Sequence, residues 1–280
     1  MPTIVELISY PIKGCAGISL TDAPLTEPGL PHDRSFMVVD RDGVFRTQRR
    51  YPRLAVIRPE VAPDGQRLTL SAPGAGQVSF GIDVASARRD VQLFGAPYQG
   101  IDQGEDAAGW LSEVLGEPSR LVRVPPEHDR VADGWTPGTS GYADSNAVHI
   151  ISRSTLDALN QRLAEAGGEP LPMSRFRPNI VIGGWEEPHL EDRVRRMDIG
   201  NAQLGFAKLA VRCAVTMVDQ STGAKAGPEP LRTLARYRRG PEGGVVFGAK
   251  FSVVRPGKMA VGDEVAVTAW DGPPPGTIPR

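Results

Sequence analysis

Alternation of apolar and polar positions dominates the first hundred residues and predicts strands. TIVELISYPI (3–12) reads as a strand that Pro11 ends. In RSFMVVDRDGVFRTQR two strand-forming runs flank Asp42-Gly43, a dipeptide that tolerates the positive φ of a tight hairpin turn. LAVIRPEVAPDGQRLTLSAPG repeats the arrangement around Asp64-Gly65, and short strands continue to about Gly95. At DAAGWLSEVLG the period changes, with Trp110, Leu111, Val114 and Leu115 at helical spacing.

From 124 to 146 the periodicity stops. Pro, Gly, Asp, Ser and Thr crowd this stretch, which predicts a long loop, either a connector or a lid in which Trp135 and Tyr142 shape an entrance. AVHIIS predicts a strand. SRSTLDALNQRLAEAGG is the best helix, with Leu156, Leu159 and Leu163 on one face, Ser154 and Asp157 as a capping box, and Gly167-Gly168 as its stop. RPNIVIGG reads as a buried strand, 203–211 as another, and 219–223 as a polar turn. PLRTLARY predicts a short helix, and MAVGDEVAV closes the pattern. The expected fold is mainly β (α+β), two β-barrel-like modules with a few flanking helices, divided into 1–120 and 121–280.

Composition narrows the function. In 280 residues, 40% hydrophobic content supplies a core, and a net charge of -1 gives no bulk attraction to nucleic acid or anionic membranes. No apolar run is long enough to span a bilayer and no secretory signal opens the chain, so a cytoplasmic protein is expected. Two cysteines cannot build a disulfide framework or an iron–sulfur cluster. The phosphate-binding loop of nucleotide hydrolases, the dinucleotide fingerprint and the nucleophile elbow are absent. His32, His128, His149 and His189 show no zinc-ligand spacing.

Four clusters share a chemical logic. YPIKG puts Lys13 where the first strand ends, and LPHDRSF puts Arg34 where another begins. SRFRPNIVI places Arg175, Arg177 and Asn179 ahead of a strand, and VRCAVT places Arg212 beside Cys213 at a strand end. Cations converging at strand ends suit an anion such as phosphate. Each residue also has a plainer reading. Arg34 beside Asp33 is equally a surface ion pair, Arg177 a strand-edge cap, Asn179 a turn residue, and Cys15 a small buried hydrophobe. An adjacent arginine favours the thiolate at Cys213, yet spacing leaves packing, nucleophile and metal ligand all open.

The clusters in this order resemble the MOSC family, in the branch with an N-terminal MOSC-associated β-barrel that includes amidoxime- and N-hydroxylaminopurine-reducing enzymes. YPIKGCAG, GLPHDRSFMVVDRDGVFRTQR and YPRLAVIRP are similar to the N-terminal module; FRPNIVIGG, RCAVTMVDQSTG, PLRTLARYR and VGDEV are similar to the MOSC domain. The resemblance implies a molybdenum–pyranopterin (molybdopterin) cofactor, with Cys213 as the one protein ligand to the metal. It implies that Lys13, Arg34, Arg177 and Asn179 hold the phosphate and pterin, with Ser152 or Arg153 as further contacts, and that Arg212 offsets negative charge. It implies reduction of N-hydroxylated small molecules, oxygen being removed at the Cys-ligated molybdenum, with Asp219 as a candidate catalytic group. Gly14 and Val211 stand where the family often has serine. No ferredoxin domain follows, so a separate electron-transfer protein of ferredoxin, flavodoxin or cytochrome type is expected. Two rivals are a sulfur carrier with a Cys213 persulfide and a cofactor-storage protein.

Overall fold

In the computed structural model, which describes residues 1–241 and 243–272, the first strand leaves its own half of the chain. Thr3–Ser9 pairs antiparallel with Ile180–Gly183 on one side and with Ile18–Leu20 on the other. It thereby joins an eight-stranded sheet whose order is Val265–Trp270, Val194–Ile199, Ala202–Arg212, Val245–Arg255, Val148–Ser152, Ile180–Gly183, Thr3–Ser9, Ile18–Leu20. Its one parallel pair, Val148–Ser152 with Ile180–Gly183, is connected through the helix Arg153–Glu165, the kind of crossover that parallel strands require.

Two smaller sheets come from the first half. One has four strands, Phe36–Val39, Arg120–Arg123, Ala96–Asp102 and Arg88–Leu93. The other is the meander Arg58–Val61, Arg67–Ser71, Gln77–Gly81, whose first turn holds Gly65 at φ 69° as the Asp-Gly signal requires. The Asp42-Gly43 turn also forms, with Gly43 at φ 77°, but the run after it makes only isolated bridges, Val39 with Phe45 and Val44 with Gln92.

The mainly β expectation holds; barrel closure does not. The large sheet curls until Thr3 meets Glu264 in a single bridge ahead of Val265–Trp270, and no ladder completes the circle among the described residues. The reason lies in MAVGDEVAV. This run breaks at Gly262 (φ 95°) into Gly257–Ala260, which pairs with Asp22–Leu25, and Val265–Trp270, which turns to Val194–Ile199.

Each sheet buries its apolar face. Ile4, Leu7, Val148, Ile150, Ile180, Ile182, Phe206 and Phe251 form the main core of the large sheet. Leu159 and Leu163 of the crossover helix pack its other side with Ile151, Val181 and Phe247. The helix Glu105–Leu115 lays Trp110, Leu111 and Val114 on Phe36, Leu68 and Leu70. The cap of the crossover helix differs from the expected Ser154–Asp157 box. Ser152 is the N-cap and accepts from Thr155 N, because the strand before it delivers its hydroxyl buried and aimed at the first turn. No helix among the described residues is long and apolar enough to cross a membrane.

Candidate functional site

Five segments distant in sequence meet around a cleft of about 460 Å³: 13–14, 45–49, 143–149, 176–179 and 208–215, with Lys250 beside them. Its cations are Lys13, Arg34, Arg46, Arg49, Arg177, Lys208, Arg212 and Lys250; Asp144 is the one acid among the described lining residues.

Lys13 follows the first strand and is buried, its backbone N–H held by Phe36 O. Its ammonium donates to Tyr142 O at 3.0 Å and pairs with Asp144. Burial lowers its pKa, and Asp144 opposes that shift. Phe94 flanks the ammonium with its ring centroid 4.9 Å away. The 124–146 stretch is thus a wall of the cleft. Its Val131–Ala132 and Gly138–Thr139 strands form a small hairpin, and its far end reaches Lys13, while Trp135 and Tyr142 do not line the space.

Arg34 and Arg177 share an unusual backbone. Both are non-glycine residues in the left-handed region, with φ 47° and 57°. Such strain persists only where surrounding bonds over-determine it, and it gathers at functional sites. The two guanidinium groups stack on Tyr10, 4.4 and 4.3 Å from its ring centroid. Arg34 Nη1 donates to both carboxylate oxygens of buried Asp33, at 2.8 and 2.7 Å, and to Asn179 Oδ1 at 3.0 Å. Asn179 completes the lattice by donating to Asp33 and Ile8 O and accepting from His149 N. Arg177 reaches Gln220 Oε1 at 3.3 Å, but its Nη2 is buried without a partner. Burial pushes its pKa down to about 10.

Cys213 follows the strand Ala202–Arg212 and is exposed. It caps the 3₁₀ turn Ala214–Met217; its carbonyl accepts from Thr216 N and Thr216 Oγ1, both at 3.0 Å. These bonds fix the backbone that carries the thiol. Arg212 donates to Phe176 O at 2.8 Å, and its Nε is buried without a partner. Cys15, by contrast, is fully buried, and burial pushes its thiol up to about 12. Gly14 sits at φ 82°, which favours glycine over the serine of the resembling family.

The cleft brings together Lys13, Arg34, Arg177, Asn179, Arg212 and Cys213. It does not bring in Ser152, Arg153 or Asp219. The Ser152 hydroxyl caps the helix and donates to buried Glu191 at 3.0 Å. Arg153 is exposed and pairs with Glu6 at 2.9 Å. Asp219 holds its own turn by accepting from Ser221 and Thr222 and faces Arg175 at 3.5 Å; the Ser221 bonds lower its pKa.

Asp144, His149 and Lys250 were not singled out in the sequence. His149 is buried, and burial, then Lys250 and Arg212, hold its pKa well below the ordinary value, so the ring is neutral at pH 7. Lys250 is half-buried, and its ammonium makes no hydrogen bond or ion pair among the described residues; burial, Arg34 and Arg212 push it down to about 7. A lone lysine inside the apolar run VVFGAKFSVV was the available signal.

Two family models match the chain in succession. Residues 1–118 match the MOSC N-terminal beta barrel domain, and residues 137–266 match the MOSC domain. Mitochondrial amidoxime-reducing component 1 of Homo sapiens is 32% identical over 283 residues, covering 94% of this chain and 82% of that protein. Mitochondrial amidoxime reducing component 2 of Rattus norvegicus is 33% identical over 285 residues, with the same shares, 94% and 82%. Molybdenum cofactor sulfurase of Danio rerio is 32% identical over 265 residues; the match covers 88% of this chain, which spans only 31% of the sulfurase. Identity at this level over most of the amidoxime-reducing components, with both family models in order, makes the chain a member of the MOSC family that carries the N-terminal MOSC β-barrel domain.

Proposed function

We propose that the protein is a molybdenum-cofactor-dependent reductase of N-hydroxylated compounds. The observation that carries this reading is an exposed, rigidly presented Cys213 thiol at the mouth of a cleft with a large excess of cations. Nη2 of Arg177 and Nε of Arg212 are buried donors without partners, and Lys250 adds a further cation to the lining. Buried donors left unmade are costly, so this set fits a bound polyanion such as a phosphorylated pterin. Among the described residues no three His, Cys, Asp or Glu side chains cluster, so a metal at Cys213 takes its other donors from a cofactor.

On this reading Cys213 is the protein's ligand to molybdenum. Arg212, one residue earlier, offsets the charge of the thiolate and of the cofactor. Lys13, Arg34, Arg177 and Lys250 hold phosphate and pterin, with Asn179 orienting Arg34. When bound, the cofactor would supply the two electrons and the acceptor for the substrate's hydroxyl oxygen; the net reaction takes R–NHOH, two electrons and two protons to R–NH₂ and water. Electrons come from a separate redox protein. A reducing compartment such as the cytoplasm keeps both cysteines as free thiols. Asp219 serves this site indirectly, by holding the turn after Cys213 and facing Arg175.

The test is reduction of an amidoxime by the cofactor-loaded protein with reduced methyl viologen as donor. Turnover in the wild type and in Cys15→Ala, with none in a folded Cys213→Ala, is the expected result. Equal turnover in Cys213→Ala overturns the ligand assignment. A stable persulfide on Cys213, with no molybdenum bound, replaces this reading with sulfur carriage.

A further inference from the structure

Beside the cleft runs a strip rich in arginine, with Glu117 the acid beside Arg46 and Arg50. RTQRRYPR places Arg46, Arg49, Arg50 and Arg53 within eight residues. Arg46 is buried and pairs with Glu117, whose carboxylate also accepts from Tyr51 Oη at 2.7 Å. The other three are exposed. The guanidinium groups of Arg49 and Arg50 make no hydrogen bond or ion pair among the described residues, and Arg53 has only Pro73 O, at 3.4 Å. Lys225 is exposed and adds a fourth cation on the turn that follows Cys213. Some surface cations have acids, as Arg88 has Glu127 and Lys208 has Asp133, and others such as Arg41, Arg58 and Arg67 have none; the arginines here differ in being clustered at the cleft.

The strip is built into the lip of the cleft. Arg49 lines the cleft itself, and Arg50 and Arg53 line the neighbouring groove with Ser221, Thr222 and Gly223. The two segments are locked together by reciprocal bonds between Gln48 and Gln220, at 3.1 and 2.9 Å. Gln220 also accepts from Arg177 inside the cleft. Gly223 presses on Arg53: a Cβ there would stand 3.2 Å from Arg53 Cα. Val211, 61% exposed at the other lip, offers an apolar contact beside Cys213. Charged rims around a small apolar contact suit a transient encounter, in which complementary charge speeds association and selects the partner.

We propose that Arg50 and Arg53, with Arg49 and Lys225, form the docking surface for an acidic electron-donor protein. This rests on the reductase reading, because only a reaction that consumes electrons at the cleft needs such a partner at its lip. The strip presents carboxylate-binding forks to Asp and Glu side chains of the donor and brings its redox centre to the Cys213 mouth.

The experiment compares the cofactor-loaded wild type with Arg50→Glu/Arg53→Glu. Donors are reduced methyl viologen and, separately, an acidic ferredoxin, a flavodoxin and a b-type cytochrome. Binding of each oxidised protein donor is measured in parallel. The expected result is that at least one protein donor supports turnover, and that its KM rises about tenfold in the variant and again with added salt. Turnover with viologen stays unchanged. Equal donor KM and binding in both proteins, or failure of every acidic donor while viologen works, overturns the proposal. Loss of binding to anionic vesicles in the variant, with donor kinetics untouched, assigns the strip to a membrane surface instead. No turnover with viologen overturns the reductase reading itself, and this inference with it.

Discussion

Asn179 shows how much of the site hangs on single side chains. Its amide serves Asp33, Ile8 O, Arg34 and His149 N, and so fixes the carboxylate and guanidinium that shape one wall. Asn179→Ala leaves these buried partners unmatched and should cost roughly 2–4 kcal/mol in urea unfolding, with cofactor binding weakened in parallel. A loss under about 0.5 kcal/mol contradicts the network's role. Lys250 gives a signature in pH. Its folded pKa is about 7, below its ordinary value of 10.5, so between these limits the unfolded chain binds more protons. Stability of the cofactor-free protein should therefore rise as pH climbs from 7 to 10.5, and Lys250→Met should flatten that rise. A profile unchanged by the substitution refutes the unpaired, desolvated amine. Cys213 was legible in the sequence as a candidate, since Arg212 stands beside it at a strand end, but not its role. Lys250 was not, because only pairing across the sheet aims it at the cleft.

Elements explain which readings survived. Local signals held: Asp64-Gly65 makes its hairpin, and Trp110, Leu111 and Val114 bury one helix face. Signals that depend on partners far along the chain did not. Thr3–Ser9 is legible as a strand, but its pairing with residues 180–183 is not. The crossover helix took its cap from Ser152 because strand and helix meet there without a linker. That junction hides Glu191, which is fully buried and accepts from Ser152 N and Ser152 Oγ. Burial, then Asp192, raises its pKa to about 7 from the usual 4.5. The folded state therefore binds more protons between these values, and stability should fall as pH rises from 4.5 to 7. Thermal unfolding of Glu191→Gln should lack that fall. If wild type and variant trace the same slope, Glu191 is not the group responsible.

At the scale of the molecule, two halves of the chain share one sheet and one cleft. Lys13 meets Asp144 across 131 positions, and Arg34 meets Asn179 across 145. The cleft therefore exists only in the folded whole, which is why spacing alone could not choose among packing, nucleophile and ligand for Cys213. The same closure places Ser152, Arg153 and Asp219 outside the cleft, where helix cap, surface ion pair and turn already use them. Charge is likewise a property of the whole. A net -1 conceals a cleft whose lining cations far outnumber its carboxylates, with an arginine strip at its lip.

The most direct measurement is molybdenum and pterin content of protein made in a host with the cofactor available, wild type beside Cys213→Ala. Stoichiometric molybdenum and pterin are expected in the wild type, and in Cys213→Ala pterin retained by the cations with molybdenum loosely held and lost on desalting. A wild-type protein with neither, from a host shown to contain the cofactor, contradicts the cofactor assignment.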